Sequence, residues 1–172
     1  HGKTRSECWE VAQNIRMGHK VLYITVEGRR QKIRDNVRQV LQHEWKDYRQ
    51  NLFVVDGVLG MDELESIIIE AVLVEGVDKV VADYIQEIIP DDRFTGENEK
   101  INKTTSALGN LMVRYDFHCT ALSQVKKESQ YNTLPKDANG NQLMPNGYKH
   151  VPSTNDVYGS DALNKWAAIV QI

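Results

Sequence analysis

The chain has 172 residues, of which 26% are charged, and its formal net charge at pH 7 is -3. This balance lacks the overall positive field of a strongly basic nucleic-acid-binding domain, so any contact with nucleic acid has to be local. The length fits a single domain over residues 1–172 with a full-sized hydrophobic core.

The apolar content and the cysteines indicate an intracellular chain without a membrane partner. No run approaches the ~20 apolar residues of a membrane span, and no basic segment followed by an apolar one opens the chain. Cys8 lies in a helical pattern and Cys119 in an apolar run, and neither has the spacing of a metal site. We expect buried thiols in a reducing compartment and a cytoplasmic location.

The chain opens with Gly2-Lys3-Thr4, directly before a helical pattern. This triplet is the second half of G-x-x-x-x-G-K-[ST], the P-loop, in which backbone N–H groups and a helix N-terminus hold phosphates. The lysine of that motif reaches the β- and γ-phosphates, and its hydroxyl binds Mg²⁺. We therefore predict nucleotide binding by Gly2, Lys3, Thr4 and the neighbouring Arg5, with the first strand of the motif upstream of these residues.

Strand and helix patterns alternate along the chain. Helical spacing of apolar residues recurs in four segments, 3–17, 29–45, 62–75 and 101–117. Apolar runs typical of buried strands recur in five segments, 20–26, 52–55, 79–83, 118–124 and 167–172. Gly18 is placed to end the first helix, and Asp62 to cap the third. The alternation predicts an α/β fold with a mostly parallel central sheet flanked by helices, in which these five strands follow a missing first one.

Two segments are predicted to be loops. Residues 90–98 are acidic and rich in turn formers. Residues 125–161 are interrupted by prolines and glycines, with an expected hairpin tip at 137–141. A structureless loop of that length in a compact domain is usually functional or disordered.

Polar side chains follow three of the predicted strands: Glu27, Asp83 and Gln124. In open α/β sheets, ligands bind outside the carboxyl ends of the strands, so these side chains are expected to line one cleft. An aspartate after an apolar run, downstream of a P-loop triplet, completes the paired Walker A and Walker B pattern of a nucleotide-binding core. Asp83 is then expected to hold Mg²⁺ through water.

The other polar strand ends have two interpretations each. Asp83 is followed by Tyr84 and not by a second acid, so a base that activates water has to come from elsewhere. Glu27 is the candidate base, and an ordinary turn acid is the alternative. Gln124 is able to hydrogen-bond the γ-phosphate or the attacking water, or it is merely a polar strand end. Lys126 and Lys127 either contact DNA phosphates or are simply solvated.

Four segments, in order, resemble the motor domain of DnaB-type replicative hexameric helicases: GKT at 2–4, a strand ending in Glu at 23–27, ADYIQEI at 82–88 and ALSQ at 121–124. A weaker fifth match is Tyr-Gly-Ser at 158–160. The resemblance implies a RecA-like P-loop NTPase core that hydrolyses ATP with Mg²⁺ to move on single-stranded DNA and unwind duplex.

This resemblance also implies roles for single residues. Lys3 would bind the β- and γ-phosphates, and Thr4 and Asp83 would hold the metal ion. Glu27 would polarise the attacking water, and Gln124 would sense the γ-phosphate. The loops after residues 86 and 124 would face the central channel of a homo-oligomer, a hexameric ring in this family, and grip single-stranded DNA.

The same resemblance also implies features outside the matched segments, and the sequence departs from the family pattern in two places. A primase or helicase loader would be a partner of the whole protein, and the arginine finger of the family would lie beyond the last predicted strand. The long loop has an extra segment at 132–150, and Asp-Val-Tyr stands at 156–158 where the family often has Arg-Glu.

Three other functional classes are alternatives to this resemblance. A RecA-type recombinase or a KaiC-like ATPase shares the P-loop, the strand-end Glu and the strand-end Gln. A nucleotide-responsive interaction module would keep the site as a switch without turnover. A Rossmann-like oxidoreductase fits badly, since the sequence contains no G-x-G-x-x-G.

Overall fold

A computed structural model describes residues 3–26, 28–57, 60–88 and 96–123, without the side chains of Lys3 and Glu97. The helices of this part are α1 Lys3–Arg16, α2 Arg30–Leu41, α3 Trp45–Tyr48, α4 Met61–Leu73 and α5 Glu97–Tyr115. The strands are β1 Val21–Thr25, β2 Leu52–Asp56, β3 Lys79–Asp83 and β4 His118–Leu122. Single 3₁₀ turns occupy Gln42–Glu44, Arg49–Asn51 and Ile85–Glu87.

The four strands form one parallel sheet in the order β2-β1-β3-β4. The register aligns their last residues, because Thr25 pairs with both Asp56 and Asp83, and Asp83 pairs with Leu122. Every strand-end residue of the described sheet therefore lies at the same carboxyl edge. The predicted α/β fold with a parallel sheet flanked by helices is confirmed.

Helices cover both faces of the sheet. One core cluster joins α1 and α2 to one face and includes Val11, Ile15, Tyr23, Ile33, Val37 and Val81. The other joins α4 and α5 to the opposite face and includes Leu22, Ile24, Leu64, Ile68, Val80 and Leu108. Because β1 and β3 are buried on both faces, their sequences are nearly all apolar up to their ends.

The end of α1 follows the prediction, whereas the end of α2 does not. Gly18, at φ 92, follows the end of α1, and its N–H donates to the Ile15 carbonyl, so its predicted role is confirmed. The predicted helix over 29–45 ends earlier, since α2 stops at Leu41, the last buried position of its apolar stripe. The polar residues that follow form short turns and α3 instead.

The predicted cap of the third helix was wrong. Gly60, in an extended conformation, is the N-cap of α4, and Asp62 lies inside the first turn. Met61 is buried in the core, so the helix has to begin one residue before Asp62. Asp62 and Glu63 still favour this end of the helix, because carboxylates interact well with the positive end of the helix dipole.

Two further predictions differ from the structure, and two others concern residues that the structure does not describe. The helix predicted to start at residue 101 begins at Glu97. Cys8 is buried as predicted, whereas Cys119 is only partly buried. The predicted strand 167–172 and hairpin tip 137–141 fall outside the described residues.

No helix in the described part of the chain is both long enough and apolar enough to cross a membrane.

Candidate nucleotide-binding site

Thr4, Tyr23 and Asp83 form a hydrogen-bonded group at the carboxyl edge of the sheet. Thr4 Oγ1 donates to Asp83 Oδ2 at 3.1 Å, and the Tyr23 hydroxyl donates to the same oxygen at 2.7 Å. Asp83 is 8% exposed and Tyr23 is fully buried. The two donors therefore hold the carboxylate beside the first turn of α1. A hydroxyl and a carboxylate there supply the oxygen ligands that suit a hard cation, next to the helix N–H groups that suit phosphate.

The strand register explains why these side chains meet. Tyr23 pairs with Val81, and Thr25 pairs with Asp83, so alternate residues from 23 and 81 point to one face. That face is covered by α1, which brings Thr4 to Asp83. The Tyr23 ring lies in an apolar cluster, where its hydroxyl needs a partner, and the carboxylate of the neighbouring strand provides it.

Backbone hydrogen bonds join the strand ends around β1. The Val26 N–H donates to the Asp83 carbonyl at 3.1 Å, and the Gly57 N–H donates to the Thr25 carbonyl at 3.2 Å. The Gly28 N–H donates to Thr25 Oγ1 at 2.9 Å. A Cβ atom on Gly28 would collide with that same Oγ1, so only glycine fits this turn without a shift. The residues on both sides of position 27 are thus fixed relative to Asp83.

Glu7 is a second buried carboxyl near Asp83. It lies on α1 and is 7% exposed. Burial, followed by the negative charges of Glu10 and Asp83, raises its pKa from 4.5 to about 7. At neutral pH a large share of Glu7 is therefore protonated, which limits the negative charge around Asp83.

Two neighbouring side chains, Cys8 and Tyr23, have raised pKa values. Burial raises the pKa of the Cys8 thiol to about 11, although a hydrogen bond with Asn36 opposes that shift. Burial, followed by the charge of Asp83, raises the pKa of the Tyr23 hydroxyl well above its usual range. Tyr23 therefore stays protonated at neutral pH and donates to Asp83.

The ends of β3 and β4 are linked by side chains as well. The peptide between Asp83 and Tyr84 is cis, and the chain then forms the turn Ile85–Glu87. Within that turn Gln86 is buried, and its Nε2 donates to Ser123 Oγ at 2.5 Å. Ser123 directly precedes Gln124, so this bond connects the two segments that were predicted to lead into DNA-facing loops.

The structure brings together part of the predicted site. Thr4 and Asp83, the predicted metal ligands, are in contact. Lys3 begins α1, and Arg5 is exposed in the first turn of that helix. The remaining predicted site residues, Gly2, Glu27, Gln124, Lys126 and Lys127, lie outside the described residues, as does the Lys3 side chain. The roles assigned to all of these residues stay predictions.

Tyr23, Glu7 and Thr25 belong to the site, and our sequence reasoning did not identify them. Tyr23 is recognisable in principle, because a hydroxyl in an otherwise apolar strand next to the Asp83 strand requires a polar partner. Glu7 lies one turn beyond Thr4, and a carboxyl at that spacing faces the same side of the helix. Thr25 gives no comparable signal, since its role depends on the path of the backbone after β1.

Comparisons with known proteins identify the fold. No family model matches the chain, and no curated protein matches it. Among solved structures, the ATPase domain of a DnaB-like helicase is 15% identical with a TM-score of 0.60 over 78% of this chain and 58% of that one. A DnaB-like replicative helicase, studied with its primase interactions, is 14% identical with a TM-score of 0.61 over 80% of this chain and 41% of that one. A KaiC-like protein from Pyrococcus horikoshii is 18% identical with a TM-score of 0.46 over 65% of this chain and 49% of that one.

These likenesses establish the fold. The chain has the RecA-like fold of the ATPase domains of DnaB-like helicases, as the motif resemblance predicted. It spans about half the length of the helicase chains that it matches. At this level of identity the fold alone is shown.

Proposed function

We propose that this chain is the ATP-hydrolysing motor domain of a replicative DNA helicase, which moves on single-stranded DNA and unwinds duplex. The observation that supports this most is the contact between Thr4 Oγ1 and Asp83 Oδ2. It joins the hydroxyl of a P-loop triplet to a strand-end carboxylate in a chain with the fold of helicase ATPase domains. Residues 1–172 would form one such domain.

The residues present fit Mg²⁺ and ATP. Mg²⁺ is usually held by one or two protein oxygens, water and the phosphates of its nucleotide. Thr4 and Asp83 offer a hydroxyl and a carboxylate oxygen 3.1 Å apart, beside a helix N-terminus. When bound, the ion would neutralise charge on the phosphates and orient them. Gly2, Lys3 and Arg5 would bind those phosphates from the start of α1.

Glu27 is our proposed general base, and Gln124 our proposed γ-phosphate sensor. Glu27 follows Val26 in the sequence, and the Val26 N–H donates to the Asp83 carbonyl, which supports a role for Glu27 beside the proposed metal ligands. Its carboxylate would take a proton from that water as the water attacks the γ-phosphate. Gln124 follows β4 at the same edge, because Leu122 pairs with Asp83.

The remaining partners follow from the proposed activity. Lys126 and Lys127 would contact phosphates of single-stranded DNA, by charge and without base specificity. The motor would work as a homo-oligomer, a hexameric ring, in the cytoplasm. A primase or a helicase loader would bind the whole protein.

The first experiment is steady-state ATP hydrolysis by the full-length protein, with and without single-stranded DNA. We expect Mg²⁺-dependent hydrolysis that DNA stimulates, and unwinding of a forked duplex. Hydrolysis with DNA stimulation but no unwinding would favour a recombinase-like or KaiC-like ATPase. Nucleotide binding without turnover would favour an interaction module and contradict the proposal.

Single variants test the residue roles. Asp83→Asn should abolish Mg²⁺-dependent hydrolysis, and Asp56→Asn is the matched control, since Asp56 ends β2 at the same edge but pairs with Arg30.

Lys3→Ala should abolish productive ATP binding. Glu27→Gln should keep binding and lose turnover by roughly 100-fold or more. Normal hydrolysis by that variant would show that another group is the base.

Gln124→Ala tests how hydrolysis is coupled to DNA. We expect basal hydrolysis to persist and DNA stimulation to be lost, because a sensor between the γ-phosphate and the DNA-facing loop would be missing. Unchanged stimulation by single-stranded DNA would contradict the sensor role.

A further inference from the structure

A cationic groove with an aromatic wall lies on the α2 side of the molecule. It is a cavity of about 420 Å³ lined by Arg34, Arg38 and Arg49 together with Trp45 and Asp35, and by the amides of residues 31 and 50. The three arginines are exposed, and none forms an ion pair within the part of the chain that the structure describes. Trp45 is partly buried against the α1–α2 core.

Asp35 does not neutralise this groove. Its Oδ1 accepts a hydrogen bond from Gln31 Nε2 at 2.9 Å, and it is one carboxylate among three guanidinium groups. Arginine and tryptophan are the residues that most often anchor protein interfaces, because they combine contact area with directional hydrogen bonds. The groove therefore has the composition of a docking site for an acidic segment with apolar residues.

The opposite charge is concentrated in the chain segment that contains α4. Residues 51–78 contain no lysine or arginine and seven acids: Asp56, Asp62, Glu63, Glu65, Glu70, Glu75 and Asp78. At the carboxyl end of α4, Leu73 is 65% exposed and Val74 is 73% exposed. Glu70 and Glu75 flank this apolar pair, and both are exposed. We call residues 70–75 the α4 tip.

The groove and the α4 tip lie on opposite faces of the sheet. The groove belongs to α2 and the segment that leads into β2, on the α1–α2 face. The α4 tip precedes β3 on the α4–α5 face, and Lys20 Nζ, just before β1, donates to its Glu75 carbonyl. The α4 tip therefore lies at the amino edge of the sheet, whereas the groove extends along α2 from Gln31, next to the Arg30–Asp56 pair, to Arg49 and Gln50 before β2. Complementary patches on opposite faces of one chain produce head-to-tail contacts that repeat from copy to copy.

We propose that the α4 tip of one copy docks in the arginine–tryptophan groove of the next copy. Glu70 and Glu75 would pair with the groove arginines, and Leu73 and Val74 would pack on Trp45. This proposal rests on the proposed function, because it supplies a contact for the homo-oligomer of the motor. A second copy accounts for both surfaces, whereas a nucleic acid in the groove would leave the exposed apolar pair of the α4 tip uncovered.

Charge reversal tests the contact in the full-length protein by sedimentation velocity over a range of concentrations. Arg34→Glu with Arg38→Glu makes the groove acidic like the α4 tip. Glu70→Arg with Glu75→Arg makes the α4 tip basic like the groove. Because like charges then face each other, each double variant should need about tenfold more protein for half-assembly, or more.

Mixing the two double variants is the decisive step. In an alternating assembly every groove meets an α4 tip of opposite charge, so the mixture should assemble close to the wild-type concentration. Lys32→Glu with Lys46→Glu is the matched control, since it reverses two exposed cations of α2 and α3 that do not line the groove. Circular dichroism and ATP binding should be unchanged in all variants, which excludes unfolding as the cause.

Several results would overturn the proposal. They are a wild-type protein that stays monomeric, double variants that assemble like wild type, and a mixture that is not restored. Loss of single-stranded DNA binding with normal assembly in the groove variant would assign the groove to nucleic acid instead. Failure of the proposed function has a different signature, since wild type would then assemble without hydrolysing ATP.

Discussion

Replacing Tyr23 with phenylalanine removes one oxygen from the centre of the candidate site. That oxygen donates to Asp83 Oδ2 at 2.7 Å, and the ring lies fully buried in the α1–α2 cluster. The ring itself stays, so no cavity of side-chain size forms. The loss is that of one hydrogen bond to a buried carboxylate, and we expect the free energy of unfolding to fall by about 1.5 to 3 kcal/mol.

Urea unfolding of the metal-free protein measures this loss. We expect a lower midpoint with an unchanged m-value, because the surface exposed on unfolding stays the same. Tyr48→Phe is the matched control. Tyr48 packs on the same cluster, and its hydroxyl has no hydrogen-bond partner among the described residues, so its change should stay within about 0.5 kcal/mol. Equal effects of the two substitutions would refute the reasoning.

Metal dependence gives a second readout of the same substitution. Tyr23 would lie behind the metal ligand, and removal of such outer partners typically costs 10–100-fold in metal affinity. With Asp83 held by Thr4 alone, we expect the Mg²⁺ concentration for half-maximal ATP hydrolysis to rise by about tenfold. A reduced stability with unchanged Mg²⁺ dependence would make Tyr23 a purely structural residue.

Three further predictions concern groups around the site. Glu7 has a pKa raised from 4.5 to about 7, so the folded state keeps a proton that the unfolded chain loses. The stability of wild type relative to Glu7→Gln is therefore complete at low pH and falls by roughly 2 to 3 kcal/mol as the pH rises through 7; urea unfolding at about pH 5 and pH 8 measures it, and a constant difference would contradict it. Gly28→Ala should lower turnover by about 100-fold without unfolding the protein, because the new Cβ displaces the turn that holds position 27, whereas Gly96→Ala, which adds a Cβ in open space, should be neutral in the same ATPase assay. Burial raises the pKa of Cys8 to about 11, so alkylation of Cys8 at pH 8 should be about 100-fold slower in the folded protein than in urea; equal rates would show that this thiol is accessible and ionised.

The fold was predictable because its signals are local. The β1 and β3 segments are short apolar runs that end in polar residues, and the helices between them have apolar residues at helical spacing. Such patterns fix which face of each element is buried before any tertiary contact is known. The contact of Thr4 with Asp83 followed from motif order, since parallel strands deliver their ends to one edge.

The remaining errors have physical causes. Asp62 has the chemistry of a cap, but the cap is Gly60, because burial of Met61 sets the start of α4. Past Leu41 the polar residues 42–44 form a 3₁₀ turn, and the next apolar residue, Trp45, packs against the core from α3 and not from α2. The role of Tyr23 required the pairing of β1 with β3, and strand order is not encoded in any single segment.

The end of β1 connects the two chemical halves of the proposed site. Val26 is bonded to the Asp83 carbonyl, and Gly28 to the Thr25 side chain, so the turn around position 27 follows the backbone of Asp83 and not its carboxylate. Asp83→Asn should then abolish Mg²⁺-dependent hydrolysis and leave the backbone contacts of Val26 and Gly28 in place. Gly28→Ala should leave the metal requirement unchanged and reduce turnover at saturating Mg²⁺. If Gly28→Ala raised the Mg²⁺ concentration for half-maximal hydrolysis, the metal site and the position of the base would not be separable in the way that the backbone contacts indicate.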